Sequence, residues 1–467
     1  MEKAERRVIF RRVFTLAIPI VLHNGITNFV NMLDNLMAGR IGTAEMTGVT
    51  VSSQMLFIFT LCIFGASSGA GIFTAQYHGK GDGEGVRRTF RFKILAGLII
   101  TAVATVLFVL LGDRFADTFL RGEGDPAIAQ AARGFARDYL LIMLFSLVPF
   151  VLVQCWSSTL RETGRTVLPL AAGLSATAVN LVLNYILIFG KLGVPALGVR
   201  GAAIATVVSR AVEFLIVAVG TWITREKSPF IKGAFRRFRI PGRLALRIVY
   251  RGFPLMLNET MWAAGMTALN RCYSARGLDV VAAININSAF FNVFSTAFLS
   301  LGVAIGILLG QVLGAGETKK AIRASKQLMR FAVLVSVAVG GIYAAIAGAV
   351  PHFYNTTDSV RLTATVMMLI CAASMPLESF ANAEYFTLRS GGQALITFIF
   401  DSVFVWAVSV PAAALLIRFT DLSVFFVYGS VQALNVLKCI LGYILVRSGR
   451  WAKNIVKSDK ETDGDEN

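Results

Sequence analysis

The chain has 467 residues, of which 55% are hydrophobic and only 15% charged, with a mean hydropathy of +0.67. Soluble domains carry about 25% charged residues, so composition excludes a cytosolic enzyme, a nucleic-acid binder and a disordered chain. The formal charge of +18 then needs another origin, and its distribution supplies one.

Apolar runs of about 20 residues cross a bilayer as helices, because lipid offers unpaired backbone groups no partners. The runs lack the alternation of a barrel strand. Twelve are predicted, at 13–38, 47–75, 92–112, 139–160, 166–188, 201–224, 250–272, 281–313, 328–350, 362–388, 394–416 and 422–446. The first follows Lys3, Arg6, Arg7, Arg11 and Arg12, as a signal peptide would. It is too long for one, contains Asp34 and lacks a small-residue cleavage site, so it is read as an uncleaved span. The longest loops are 76–91, 113–138 and 225–249. Within the second, Asp125–Asp138 alternates apolar and charged positions at helical spacing, which predicts an interfacial helix leading into span four. The tail Ser458–Asn467 is polar and mixed in charge, a composition that predicts disorder.

The basic residues fall in alternate loops. Five precede span one, five lie between Lys80 and Lys93, nine between Arg225 and Arg251, five between Lys319 and Arg330, and five from Arg447 onward. With Arg161, Arg165 and Arg389, one face holds 32 of the 45 basic residues and the other 11. This asymmetry is the positive-inside signal. It places both termini in the cytoplasm and makes the bilayer, not nucleic acid, the chain's large partner. The five cysteines (Cys62, Cys155, Cys272, Cys371, Cys439) lie in apolar runs without disulfide or metal spacing.

The sequence repeats. At an offset of 235, Pro19 meets Pro254, Gly42 meets Gly277, Gly71 meets Gly306 and Gln76 meets Gln311. Gly79, Gly81 and Arg88 likewise meet Gly314, Gly316 and Arg323. At an offset of 228, Thr159, Arg161 and Gly164 meet Thr387, Arg389 and Gly392. Each half has six spans, so both enter the membrane from the same side as parallel repeats. The expected fold class is therefore all-α integral membrane, with two pseudo-symmetric six-helix bundles. The expected parts are an N-terminal lobe at 1–224, a cytoplasmic basic linker at 225–249, a C-terminal lobe at 250–446 and a cytoplasmic tail at 447–467. Two matched bundles suit alternating access, and Pro19 and Pro254 mark matched kinks.

Ionisable residues inside spans are candidate sites, because burying a charge in lipid is costly. His23, Thr27, Asn31 and Asp34 share one face of span one. Asn180 and Asn184 lie one turn apart in span five, and Thr206 lies in span six. A carboxylate, two amides and a hydroxyl make a hard-oxygen set suited to a small hard cation. Hydrogen bonding between helices is the alternative use of the asparagines and the threonine. Spacing leaves that choice open, whereas Asp34 must bind a cation or hold a proton. The second half offers Glu259, Glu378, Glu384 and Asp401, with Glu259 and Asp401 the candidate proton or substrate site. Lys438 is expected to pair with an acid or to reach the interface, Arg210 to pair with Glu213, and Asn285, Ser288, Asn292 and Ser295 to form a polar stripe on span eight. No P-loop, HExxH or GxSxG motif occurs. Transport would thus draw on an ion gradient rather than on a nucleotide, with no cofactor beyond the coupling ion.

These residues resemble the multidrug and toxic compound extrusion (MATE) family over roughly residues 10–450. LAIPIVLHNGITNFVNMLDNLMAGRIG resembles the family's first span. VNLVLNYILIFGKLGVPALGVRGAAIATVVSR, residues 179–210, resembles its fifth and sixth spans, and LRSGGQALITFIFDSVFVWAVSVP its tenth-to-eleventh segment. The resemblance implies twelve helices in two lobes and an N-terminal-lobe cation site at Asp34, Asn180, Asn184 and Thr206, where Na⁺ would bind. Some members carry an aspartate at the position of Asn184. The asparagine form resembles a bacterial sodium-type branch and leaves Asp34 as the only carboxylate there. Glu259 matches a seventh-span glutamate of members with a C-terminal-lobe site. Gln393 stands where many members have an acid, which weakens a two-acid site, and Asp401 is the candidate to compensate.

The resulting expectation is a Na⁺- or H⁺-coupled antiporter, monomeric and multi-pass in a prokaryotic inner membrane, that exports small amphipathic organic cations. A lipid-linked sugar flippase of the same wider superfamily is the rival. Its usual fourteen spans and basic cleft are not matched by twelve spans with only Arg210 and Lys438 as mid-span bases. An integral-membrane enzyme would need motifs that three scattered histidines do not supply, and a channel would need a filter-like loop.

Overall fold

The computed structural model describes residues 3–38, 42–120, 126–236 and 238–457; the side chains at 3–4, 29–38, 43 and 126 fall outside that description. Among the described residues twelve long helices run in chain order: α1 (Lys3–Ala38), α2 (Thr43–Lys80), α3 (Gly83–Leu120), α4 (Pro126–Glu162), α5 (Val167–Phe189) and α6 (Gly198–Ile223). They continue as α7 (Gly242–Ser274), α8 (Leu278–Gly314), α9 (Thr318–Ile346), α10 (Asp358–Ser390), α11 (Ala394–Phe419) and α12 (Val424–Arg447). Among the described residues there is no strand. Eleven of the helices are long and apolar enough to span a bilayer by composition alone. The twelfth, α7, has its apolar run broken by Asn258, Glu259, Asn270 and Arg271.

Several helices outrun their apolar cores. The segment expected as an interfacial helix leading into span four forms, from Pro126 on, the first part of a continuous α4 that runs through Gly134 without a break. In α11 the pitch widens: Ile399–Val403 and Val405–Ser409 are π-helical turns. The last helix is interrupted at Leu434.

The glycines repeated in sequence terminate matched helices. Gly81 and Gly316 have φ of 77° and 84° and follow α2 and α8. In the first turn Gly81 N donates to His78 O at 3.0 Å and Asp82 N to Tyr77 O at 2.9 Å; in the second Gly316 N donates to Leu313 O at 3.0 Å and Glu317 N to Val312 O at 3.2 Å. Both are Schellman closures, which need a left-handed residue that glycine adopts without a Cβ penalty.

The chain divides into two compact units. One contains residues 26–74 and 83–249, hence α3–α6 and the larger part of α2. It includes the buried pair Lys93–Glu162, 2.5 Å apart, with Lys93 Nζ also donating to Ser158 Oγ and Thr159 Oγ1. Residues 228–236, after α6, fold back on it. Phe230 is buried against Phe90, and Arg91 donates to the carbonyls of Gly233 and Ala234 at 3.0 and 2.7 Å.

The other unit contains residues 1–25, 75–82 and 250–467. Its core joins Ile9, Val13, Leu16 and Ala17 of α1 to α8 and α9. Residues 449–457 are packed here as well: Trp451 and Val456 are buried, and Ile455 N donates to Gln76 Oε1 at 2.8 Å. Gln76 Nε2 donates to the carbonyls of Ser390 and Lys453 at 2.9 and 3.1 Å.

Candidate functional site

In the N-terminal unit, α5 and α6 are neighbours and present oxygen-bearing side chains to each other. Asn180 and Asn184 share one face because four residues make about one turn, and both are buried. Asn184 Nδ2 donates to Asn180 Oδ1 at 3.1 Å. Asn180 Nδ2 reaches Thr206 Oγ1 and Ser209 Oγ, each at 3.5 Å. Thr206 and Ser209 donate their hydroxyl protons to the carbonyls of Ala202 and Thr206, at 3.0 and 2.9 Å. Their lone pairs are thereby turned toward the asparagines. Amide and hydroxyl oxygens are hard donors of the kind that bind small cations.

Ser209 is absent from the sequence-derived set. Its spacing of three from Thr206 was a usable signal, since such residues lie on one helix face. One turn further, Arg210 pairs with the buried Glu213 at 2.7 Å and lies 5.3 Å from the Phe150 ring centroid. Asp34 lies in α1, and its side chain is outside the described residues, as is that of Asn31. Among the described residues no group of three His, Cys, Asp or Glu side chains converges as a metal site.

In the C-terminal unit, α7, α10, α11 and α12 bring a second polar cluster together. Asn258 Nδ2 donates to Asp401 Oδ2 at 3.0 Å and to the Tyr385 hydroxyl at 3.3 Å. Tyr385 in turn faces Glu259 Oε1 at 3.5 Å. Glu259 and Asp401 are therefore linked through Asn258 and Tyr385 rather than directly. Within the π-helical turn at Asp401, Ser402 Oγ engages both the carbonyl and the Oδ1 of Asn258, at 2.8 and 2.7 Å. Wide turns of this kind recur at functional positions. Lys438 Nζ contacts Asp401 Oδ1 at 2.5 Å, so the acid that Lys438 pairs with is Asp401.

The polar stripe expected on α8 is uneven. Asn285 and Asn292 are exposed and Ser295 is buried. The networked residue is instead Asn287, whose Oδ1 accepts from the Tyr343 hydroxyl at 2.9 Å. Nothing in its spacing singled it out.

The MatE family model matches residues 19–186 and 254–415, one copy in each half of the repeat. A probable multidrug resistance protein NorM from Thermotoga maritima is 24% identical, with 98% of this chain and 96% of that protein aligned. A probable multidrug resistance protein YoeA from Bacillus subtilis is also 24% identical, over 95% and 94% of the two chains. Among solved structures, a Vibrio cholerae MATE transporter, VcmN, superposes with a TM-score of 0.85 at 17% identity, covering 96% of this chain and all of that one. An outward-facing multidrug resistance MATE family transporter superposes at 0.83 with 20% identity, covering 94% and 95%. At such identities the structural likeness establishes the fold, while the family model covers most of the sequence. The chain belongs to the MATE family, and is thus a multi-pass membrane transporter and not an enzyme.

Proposed function

We propose that this transporter is a cation-coupled antiporter that exports small amphipathic organic cations by alternating access. The observation that carries the reading is the chain of oxygen donors formed by the buried Asn180, Asn184 and Ser209 with the half-buried Thr206. With Asp34 from α1 these side chains make a site for Na⁺ or H⁺. Ion entry at Asp34 then favours one conformation and substrate the other, which is the differential affinity that coupling requires. The relatives named for multidrug resistance support export of small organic molecules. Glu259 and Asp401 serve as the proton or substrate site of the C-terminal unit. Both termini then lie on the cytoplasmic side of a prokaryotic inner membrane, a reading supported by the distribution of basic loop residues, and the working unit is a monomer.

The test is ethidium efflux from proteoliposomes under a Na⁺ gradient and, separately, a pH gradient. Wild type should respond to at least one, and Asp34→Asn should lose the response while remaining folded. Full ion-driven efflux by Asp34→Asn would overturn the N-terminal site.

A further inference from the structure

The C-terminal cluster contains a cation of its own. Both oxygens of Asp401 are engaged, Oδ1 by the Lys438 ammonium at 2.5 Å and Oδ2 by Asn258 at 3.0 Å. The pair is not sealed off, with 12% of the Lys438 side chain and 17% of the Asp401 side chain exposed. The ammonium also lies 5.3 Å from the Phe400 ring centroid.

Beside the same ring sits an acid of a different kind. Glu384 is fully buried, and neither carboxyl oxygen has a hydrogen-bond partner. Gly442, one turn beyond Lys438, lets α12 come so close that a Cβ there would overlap both a Glu384 oxygen and the Phe400 ring. A buried carboxylate with neither water nor a donor is strongly disfavoured. At rest Glu384 is therefore a neutral acid with no visible structural task, and a buried polar group left unsatisfied calls for an explanation.

We propose that Lys438 is a tethered counter-ion that couples capture of an organic cation at Asp401 to release of the proton held by Glu384. The proposal rests on the cation-export reading and gives it a second exchange site.

The step involves no redox change and balances in charge. The incoming cation replaces the Lys438 ammonium at Asp401 Oδ1. Lys438 keeps its proton and swings past Phe400 to Glu384. The Glu384 O–H bond breaks heterolytically, the proton leaves to water, and the electron pair stays on the carboxylate that now accepts from Lys438. Before the step Asp401 and Lys438 cancel and Glu384 is neutral. Afterwards the bound cation, Asp401, Lys438 and Glu384 again sum to zero. A cation entering without proton release would leave a net charge in a low-dielectric site.

The surroundings favour Lys438 as the group that answers Glu384. It is the charged side chain whose field reaches both Glu384 and Glu378. Cys439 faces Glu384 from α12, Asp401 lies beyond Phe400 on α11, and Glu259 lies behind Tyr385 on α7. On α10 itself, Arg389 is directed over the rings of Tyr385 and Phe386, 5.9 and 5.3 Å from their centroids. The sequence of α8 has no charged residue after Asp279, and that of α9 none after Arg330. The break in α12 at Leu434, one turn before Lys438, gives the lysine's helix a point of adjustment.

The full-length protein in lipid nanodiscs is titrated with tetraphenylphosphonium by calorimetry, in two buffers of different ionisation enthalpy at one pH. The wild type should release about one more proton per bound cation than Glu384→Gln, which should still bind. Lys438→Met, which empties Oδ1 of Asp401, should bind the cation more tightly and also lose that proton. Equal proton counts in wild type and Glu384→Gln, or none in wild type, overturn the coupling. Absence of cation binding by the wild type overturns the export reading on which it stands. Infrared difference spectra of the wild type alone guard against a misfolded variant. Cation addition should bleach a protonated carboxyl band, and an unchanged band refutes the proposal.

Discussion

Lys93 and Glu162 form the most enclosed ion pair among the described residues, with side-chain exposures of 0% and 10% and a separation of 2.5 Å. Lys93 also donates to Ser158 Oγ and Thr159 Oγ1 at 3.1 and 3.2 Å. Glu162 fits against Gly71, where a Cβ would overlap its carboxylate. Lys93→Met breaks a buried ion pair, which costs at most about 3–5 kcal/mol because the Arg161 charge also bears on Glu162. Adding Glu162→Gln removes the carboxylate charge while keeping the shape that fits Gly71. The double variant should therefore recover more than half of the loss. Thermal unfolding in detergent, followed as loss of monodisperse protein, reads both effects. Added salt should change neither, because a buried pair is weakly screened. If the double variant loses as much as the two single variants summed, the pair is not a coupled unit and the argument from buried charge fails.

Two further outcomes follow from the same geometry. Asn184→Asp replaces the amide that donates to Asn180 with a second carboxylate, and should lower the Na⁺ concentration for half-maximal efflux about tenfold, equivalent to ~1.4 kcal/mol; an unchanged Na⁺ dependence would argue that the α5–α6 cluster only bonds helices together. Trp451→Ala should cost about 3–5 kcal/mol of stability, because Trp451 is buried in the α1–α8–α9 core and donates from Nε1 to Val446 O at 3.0 Å; a variant with wild-type thermal stability would show that this packing is dispensable.

The helices were legible because lipid imposes a simple rule on composition. Their ends were less so, since α1, α3 and α4 continue past their apolar cores, α3 and α4 through the glycines Gly112 and Gly134. The N-terminal cluster was legible from one-turn spacing on α5, and Ser209 was missed although the same rule includes it. Asn258 and Glu259 of α7 lie more than 100 residues before Tyr385 and Asp401 of α10 and α11, and only the fold relates them. Two features gave no sequence signal. The π-helical turns of α11 leave no mark in composition, and the burial of Trp451 depends on helices more than 100 residues away. A run such as Arg450–Lys457 reads as a soluble tail because its apolar residues alternate with charges.

The repeat has a consequence beyond shared ancestry of shape. Gln76 and Gly79 in α2 match Gln311 and Gly314 in α8 at the offset of 235, and the matched residues touch. A Cβ at Gly79 would collide with the carbonyl of Gln311, and one at Gly314 with the carbonyl of Gln76. Each repeat thus supplies the glycine that the other's backbone needs, a reciprocal contact of the kind a two-fold axis produces. Gln76 also holds three backbone groups, the carbonyls of Ser390 and Lys453 and the amide of Ile455, and the carbonyl of Gly314 accepts from Asn454 at 3.3 Å. The segment after α12 thus closes over the crossing and adds polar bonds to the close approach of the two helices.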